Sequence, residues 1–162
     1  MISKRSVAPL LTLVVLALIA ATGASGSSTA ARAGPQATDA VQAPATLTVR
    51  KTRFGTVLFD GSGRALYGFT RDRRGGPSQC YGACAVAWPV YFAKGQLRAG
   101  KGVKKALIGT IRRRDGRRQL TYHGWPLYYY IDDTEPGEVS CQNVDEFGGL
   151  WLVVRPSGGL VR

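Results

Sequence analysis

One pattern occurs twice in this chain at a fixed spacing. Gly63-Arg64-Ala65-Leu66-Tyr67-Gly68-Phe69-Thr70-Arg71-Asp72 is echoed by Gly124-Trp125-Pro126-Leu127-Tyr128-Tyr129-Tyr130-Ile131-Asp132-Asp133. Gly63 and Gly124, Leu66 and Leu127, Tyr67 and Tyr128, Phe69 and Tyr130, and Asp72 and Asp133 all stand 61 residues apart, and the same step carries Cys80 onto Cys141. A constant offset over so many positions points to duplication of one structural unit. Any fold for this chain therefore has to hold that unit twice.

The unit reads as β structure. Thr46-Leu47-Thr48-Val49 alternates, and Thr56-Val57-Leu58-Phe59 is a β-branched and aromatic run closed by Asp60-Gly61-Ser62-Gly63. Runs flanking so tight a Gly-rich turn predict a hairpin, with Ala65–Phe69 as the return strand. In the second unit, residues 106–111 lead to Asp115-Gly116 and residues 119–122 come back. Residues 127–131 and 150–154 are the strongest later strands, and one short helix is expected near residues 81–88, between Cys80 and Pro89. The prediction is an all-β domain of two pseudo-repeated antiparallel β units sharing one core.

In a strand, alternate residues share a face, so Tyr67 points with Phe69 and Tyr128 with Tyr130. Each such aromatic contributes about 1.5–3 kcal/mol by burial, and the four together suffice to anchor a small core. Asp72 and Asp133 fall just past the strand ends, where a carboxylate accepts backbone N–H bonds and closes a turn. Paired carboxylates also run glycoside hydrolysis when set across a bond. Here both occupy one position of a duplicated unit, which is what turn chemistry produces, and no catalytic residue is assigned.

The twice-repeated Leu-Tyr-x-aromatic-x-x-Asp resembles the bacterial secreted-repeat family described as predicted lipoproteins with a Tyr-x-aromatic-x-x-Asp motif. Cys80-x-x-x-Cys84 followed by Trp88-Pro89, Asp115-Gly116, Gln119-Leu120-Thr121-Tyr122 and Gly149-Leu150-Trp151 agree with it, over roughly residues 50–158. That family has no established biochemical function, so the resemblance implies class and location rather than an activity.

Lys4 and Arg5 precede an apolar stretch over residues 7–21. It is shorter than the roughly 20 residues a membrane span needs. Residues 1–24 are expected to be a signal peptide, with cleavage as late as residue 33; the alternative is an uncleaved N-terminal anchor. A lipid anchor needs a Cys just after the apolar stretch, and the first Cys is Cys80, so lipidation is not expected. Residues 25–45 are Ala-, Gly-, Ser- and Thr-rich and read as a disordered tether. Residues 46–162 form the domain.

The chain carries a formal charge of +12; residues 1–33 hold Lys4, Arg5, Arg32 and no acid, which leaves 12 − 3 = +9. Arg71, Arg73 and Arg74 share one loop, and Arg112, Arg113, Arg114, Arg117 and Arg118 flank Asp115-Gly116. Such charge attracts polyanions. Outside the membrane these are lipid head groups, anionic wall polymers and extracellular DNA, and no sequence-specific nucleic-acid module is visible. The five arginines are expected to form a cationic hairpin tip that holds anionic envelope polymers or a membrane surface.

Export places the cysteines where disulfides persist. A Cys80–Cys84 bridge is favoured, with a bond from either to Cys141 as the runner-up. Cys80, Cys84, Cys141 and His123 would also make a Cys3His metal set, and an odd thiol leaves a redox role open. No Gly-x-Ser-x-Gly elbow or phosphate loop occurs, and His123 is the one histidine. Trp88, Tyr91, Phe92, Tyr122, Trp125 and Tyr129 exceed what so small a core needs, so some are candidates for a platform that stacks sugar rings or a protein partner. The reading is an exported, non-catalytic envelope domain for binding or scaffolding, needing no cofactor and no metal. A cysteine-dependent redox or metal-handling protein is the alternative.

Overall fold

The computed structural model describes residues 46–162; the segments expected as signal peptide and tether lie outside the described residues. Eight strands run in the order β1 (Leu47–Thr52), β2 (Gly55–Asp60), β3 (Tyr67–Phe69), β4 (Ile108–Arg112), β5 (Arg118–Tyr122), β6 (Trp125–Pro126), β7 (Val144–Glu146) and β8 (Gly149–Val153). One helix, α1 (Ala83–Ala87), follows β3, and a 3-10 turn at Lys105–Leu107 precedes β4. The domain is all-β, with its short helix inside the predicted segment.

The duplication is visible as paired hairpins. β1 pairs antiparallel with β2, Leu47 opposite Asp60, and β4 pairs antiparallel with β5, Ile108 opposite Tyr122. Leu47 and Ile108 again stand 61 apart. The turns are built by short polar side chains. Asp60 Oδ1 accepts the N–H groups of Ser62 and Arg64 and the Ser62 hydroxyl, each at 2.7–2.9 Å. Asp115 Oδ1 accepts Arg117 N–H at 3.0 Å across the second tip. His123 (φ 50°) and Gly124 (φ 79°) are both left-handed and close the two-residue turn from β5 to β6, as the favoured hairpin twist requires.

The predicted return strand after β2 pairs with it only briefly, at Phe59–Ala65 and through Leu66 N–H to Leu58 O at 3.1 Å. β3 then leaves β2 and pairs with β8, Tyr67 opposite Val153 and Phe69 opposite Trp151. The second unit copies the move. Tyr128 bridges Val90, and Tyr129 N–H donates to Pro89 O at 2.8 Å. Tyr67 and Tyr128 are thus each paired with the closing segment of the other repeat. Residues 127–131, expected as a strand, make only isolated bridges at Tyr128, because they pair at single points with Tyr67 and Val90. Val90 and Val153 stand 153 − 90 = 63 apart, as do Trp88 and Trp151. The repeat therefore persists beyond the cysteines, with its step lengthened from 61 to 63.

Between the repeats, Tyr67 N–H donates to Tyr128 O at 2.9 Å and Tyr128 N–H donates to Tyr67 O at 3.0 Å. Equivalent residues exchange equivalent bonds, so a local two-fold axis passes between them, the intrachain counterpart of a self-complementary dimer interface. Trp88 and Trp151 stack with centroids 3.9 Å apart and planes within 3°. Tyr67 meets Trp88 edge-on at 5.2 Å, and Tyr128 meets Trp151 edge-on at 5.2 Å. Tyr67, Phe69, Tyr128, Trp88 and Trp151 are fully buried, while Tyr130 packs half-buried against them. A second cluster around Leu47, Leu58, Leu66, Leu120, Tyr122 and Leu127 fills the space behind the hairpins.

Candidate functional site

The repeated Tyr and Asp are joined across the two-fold. Tyr67 donates its hydroxyl to Asp133 Oδ2 at 2.6 Å, and Tyr128 donates to Asp72 Oδ2 at 2.7 Å. The remaining carboxylate oxygens close the turns as expected. Asp72 Oδ1 accepts Gln79 N–H at 2.7 Å, and Asp133 Oδ1 accepts Ser140 N–H at 3.0 Å and the Ser140 hydroxyl. Gln79 and Ser140 are themselves 61 apart. The motif is a reciprocal latch: each repeat's aromatic strand is tied to the other repeat's turn. Both carboxylates are buried. Burial raises both hydroxyls above the ordinary phenol range and pushes Asp72 up to about 6. Neither carboxylate faces open space, and both are committed to protein donors.

The arginine tip requires one correction. Arg113 was expected in the exposed cluster, yet it is 5% exposed. Its Nη1 donates to Ser78 Oγ at 2.7 Å and Gln119 Oε1 at 2.6 Å, and its Nη2 donates to Cys80 O at 2.6 Å. Ser78 Oγ in turn lies 2.7 Å from the Tyr128 hydroxyl, so a buried chain runs Arg113–Ser78–Tyr128–Asp72. The guanidinium also holds the Asp72 carboxyl down against its burial. A planar fork satisfied on both sides is the form in which Arg tolerates burial.

Arg112, Arg114, Arg117 and Arg118 are exposed. Arg114 lies over the Tyr81 ring at 4.7 Å and Arg117 over the Phe92 ring at 3.9 Å. Arg117 also pairs with Asp115 at 2.7 Å, and it holds that carboxyl below its ordinary range. The loop 71–81 runs along this hairpin, fixed at one end by Gly75 N–H to Gly124 O at 2.8 Å and at the other by Arg113 on Ser78 and Cys80. On that loop Arg74 reaches His123, at the end of β5 opposite the tip, and Arg71 donates to Phe147 O at 2.8 Å, so these exposed arginines stand apart from the tip.

Cys80 and Cys84 form a disulfide, with Cys84 in α1 and Cys80 ahead of it, and Cys141 is a buried free thiol. Burial raises the Cys141 thiol above its ordinary range, the opposite of what an activated thiolate needs. The Cys3His alternative is overturned, because two of its four donors are bonded to each other. His123 lies in the β5–β6 turn, with Nε2 2.7 Å from Arg74 Nη2. Among the described residues no group of three His, Cys, Asp or Glu is arranged to hold a metal ion.

Of the surplus aromatics, Trp88 and Tyr122 are buried and Trp125 is half-buried. Tyr91, Phe92 and Tyr129 instead line an open cleft of about 480 Å³ together with Asp60, Ser62 and Lys94. Tyr91 and Tyr129 tilt against each other at 5.1 Å, and Tyr129 donates to Asp60 Oδ2 at 3.0 Å. The Arg64 guanidinium covers Tyr129 at 4.2 Å. The sequence marked these aromatics as a group but carried no signal for which would remain open. That depends on how residues 90–94 lie against β5, through Phe92–Gln119 and Ala93 N–H to Arg118 O at 2.9 Å.

The architecture defines a class: a duplicated β module latched by Tyr–Asp pairs, with exposed arginines on one hairpin tip. The family model described as a secreted repeat of unknown function matches residues 48–91 and 109–155, one match for each half of the two-fold. The chain belongs to this family of secreted repeats, and its place is extracellular. No curated protein and no solved structure matches the chain.

Proposed function

We propose that the domain is a non-enzymatic binding module of the cell envelope that uses its arginine face to hold anionic envelope polymers. One observation supports this most directly: the tip of the β4–β5 hairpin exposes Arg112, Arg114, Arg117 and Arg118 together. Around that tip Asp115 is the single exposed acid against these four exposed arginines. Such a face concentrates polyanions and speeds their capture. The latched, buried tyrosines and aspartates favour a scaffold role for the motif itself over a catalytic one. We further propose that the module is held at the envelope by this charge and not by a lipid.

Retention on isolated cell walls and on anionic liposomes tests the reading. Wild-type protein should bind walls at low salt and be released as salt shortens the Debye length from about 10 Å at 0.1 M to about 3 Å at 1 M. The variant Arg112→Gln/Arg114→Gln/Arg117→Gln/Arg118→Gln should lose most retention while keeping its fold. Retention on liposomes but not on walls would replace the polymer by the membrane surface. Salt-independent retention would reject the charge reading.

A further inference from the structure

We infer that the cleft beside the arginine face takes a sugar ring, so that the polymer held there is an anionic glycan. This rests on the reading of the arginine face as a polyanion site and adds the chemistry of the repeating unit.

The cleft and the face are continuous. Arg117, on the hairpin tip, lies over Phe92, which lines the cleft, at 3.9 Å. Lys94, exposed, stands on the same lining. A chain lying across the arginines therefore passes the cleft mouth. The volume of about 480 Å³ lies in the range of small-ligand sites.

The lining has two characters. Tyr91, Phe92 and Tyr129 supply ring faces and edges, while Asp60 and Ser62 supply oxygen acceptors. Asp60 is itself held by Ser62, Arg64 and Tyr129, so its oxygens are fixed in place. A pyranose ring matches both parts, having C–H faces that pack on aromatics and hydroxyls at its edge that donate to oxygens. A polyphosphate has no apolar face to set on Tyr91, Phe92 and Tyr129. A lipid acyl chain packs on the aromatics but has no group for exposed Lys94 or for Arg117. An acid-bearing sugar alone uses the aromatics, the oxygens, and Lys94 with Arg117.

The test compares two carboxylate polymers of equal length by calorimetric titration: oligogalacturonate, which has sugar rings, and oligoglutamate, which has none. The full chain is used, with Phe92→Leu and Lys94→Ala as variants. Leu keeps apolar volume at position 92, and Lys94 is exposed. A melting curve confirms that each variant is folded. Oligogalacturonate should bind more tightly, and Phe92→Leu should weaken it about fivefold to tenfold, the loss of one stacking contact, while leaving oligoglutamate unchanged. NMR shifts at residues 90–94 on addition of oligogalacturonate should disappear in the variant.

Equal binding of both polymers, with neither variant affecting either, would overturn the sugar site and leave the arginine face standing. Equal weakening of both by Phe92→Leu would make the cleft a site for acidic peptide. Binding of neither polymer would overturn the sugar site and the polyanion reading together.

Discussion

Replacing Tyr128 by Phe removes one oxygen from the centre of the molecule and leaves the ring packed on Trp151. The lost hydroxyl donates to Asp72 Oδ2 at 2.7 Å and lies 2.7 Å from Ser78 Oγ. Asp72 is buried and keeps Gln79 N–H and the nearby charges of Arg113 and Arg71. A hydrogen bond to a charged acceptor contributes about 1.5–3 kcal/mol, and an acceptor left unpaired adds its desolvation cost, so a loss of about 2–3 kcal/mol is expected near neutral pH. Truncation to Ala removes the ring as well and should cost about 3–5 kcal/mol. Urea unfolding with the disulfide intact measures both, and a domain of this size is expected to unfold in two states.

The pH dependence sharpens the test. Burial raises Asp72 from its ordinary 3.8 to about 6 in the folded protein. The folded state therefore holds a proton that the unfolded state has released. The contribution is fully present below pH about 4 and lost as pH rises through about 6, a change of about 3 kcal/mol. Asp72→Asn should flatten that slope. Tyr128→Phe should be most costly above pH 6, where the carboxylate needs the donor, and less costly below it. A Tyr128→Phe loss under about 0.5 kcal/mol at neutral pH, or one independent of pH, would refute the latch.

Three further outcomes follow from the same contacts. Arg113→Gln should destabilise the domain by about 2–4 kcal/mol in thermal or urea melts, because it leaves Ser78, Cys80 O and Asp72 without their cation, whereas Arg114→Gln should stay within about 0.5 kcal/mol. Comparable effects of the two would show that Arg113 is not buried. Replacing both Cys80 and Cys84 by Ser should cost about 2 kcal/mol, as expected for so short a closed loop. Thiol titration of the oxidised protein should find one reactive group, Cys141, and only after denaturation; a thiol accessible in the native state would contradict its burial.

The parts of the fold that were legible in the sequence are those carried by local chemistry. The β4–β5 hairpin follows from Asp115-Gly116, and the helix from the gap between Cys80 and Pro89. The constant step of 61 revealed the duplication but not its arrangement. Nothing local distinguishes β3 returning along β2 from β3 crossing to β8, since both bury Tyr67 and Phe69 equally well. The equivalence of Trp88 and Trp151 was hidden because the step changes to 63 beyond the cysteines. One oxygen of Asp72 and of Asp133 accepts a nearby backbone N–H, a local contact of the kind turn chemistry describes. The second oxygen's partner lies in the other repeat and could be found only once Tyr67 and Tyr128 were seen to face each other. Arg113 is chemically indistinguishable from Arg112 and Arg114 along the chain. Its burial is decided by Ser78, Cys80 and Gln119, which meet only in the fold.

The arginine face is tested most directly by the salt dependence of binding to a defined polyanion. The logarithm of the affinity falls linearly with the logarithm of salt concentration, and the slope counts the counterions released by the cations that engage. The wild-type domain should show a slope of magnitude about 3–4, and the Arg112→Gln/Arg114→Gln/Arg117→Gln/Arg118→Gln variant a slope of about 0–1. Identical slopes for the two proteins would contradict the claim that these arginines hold the polymer.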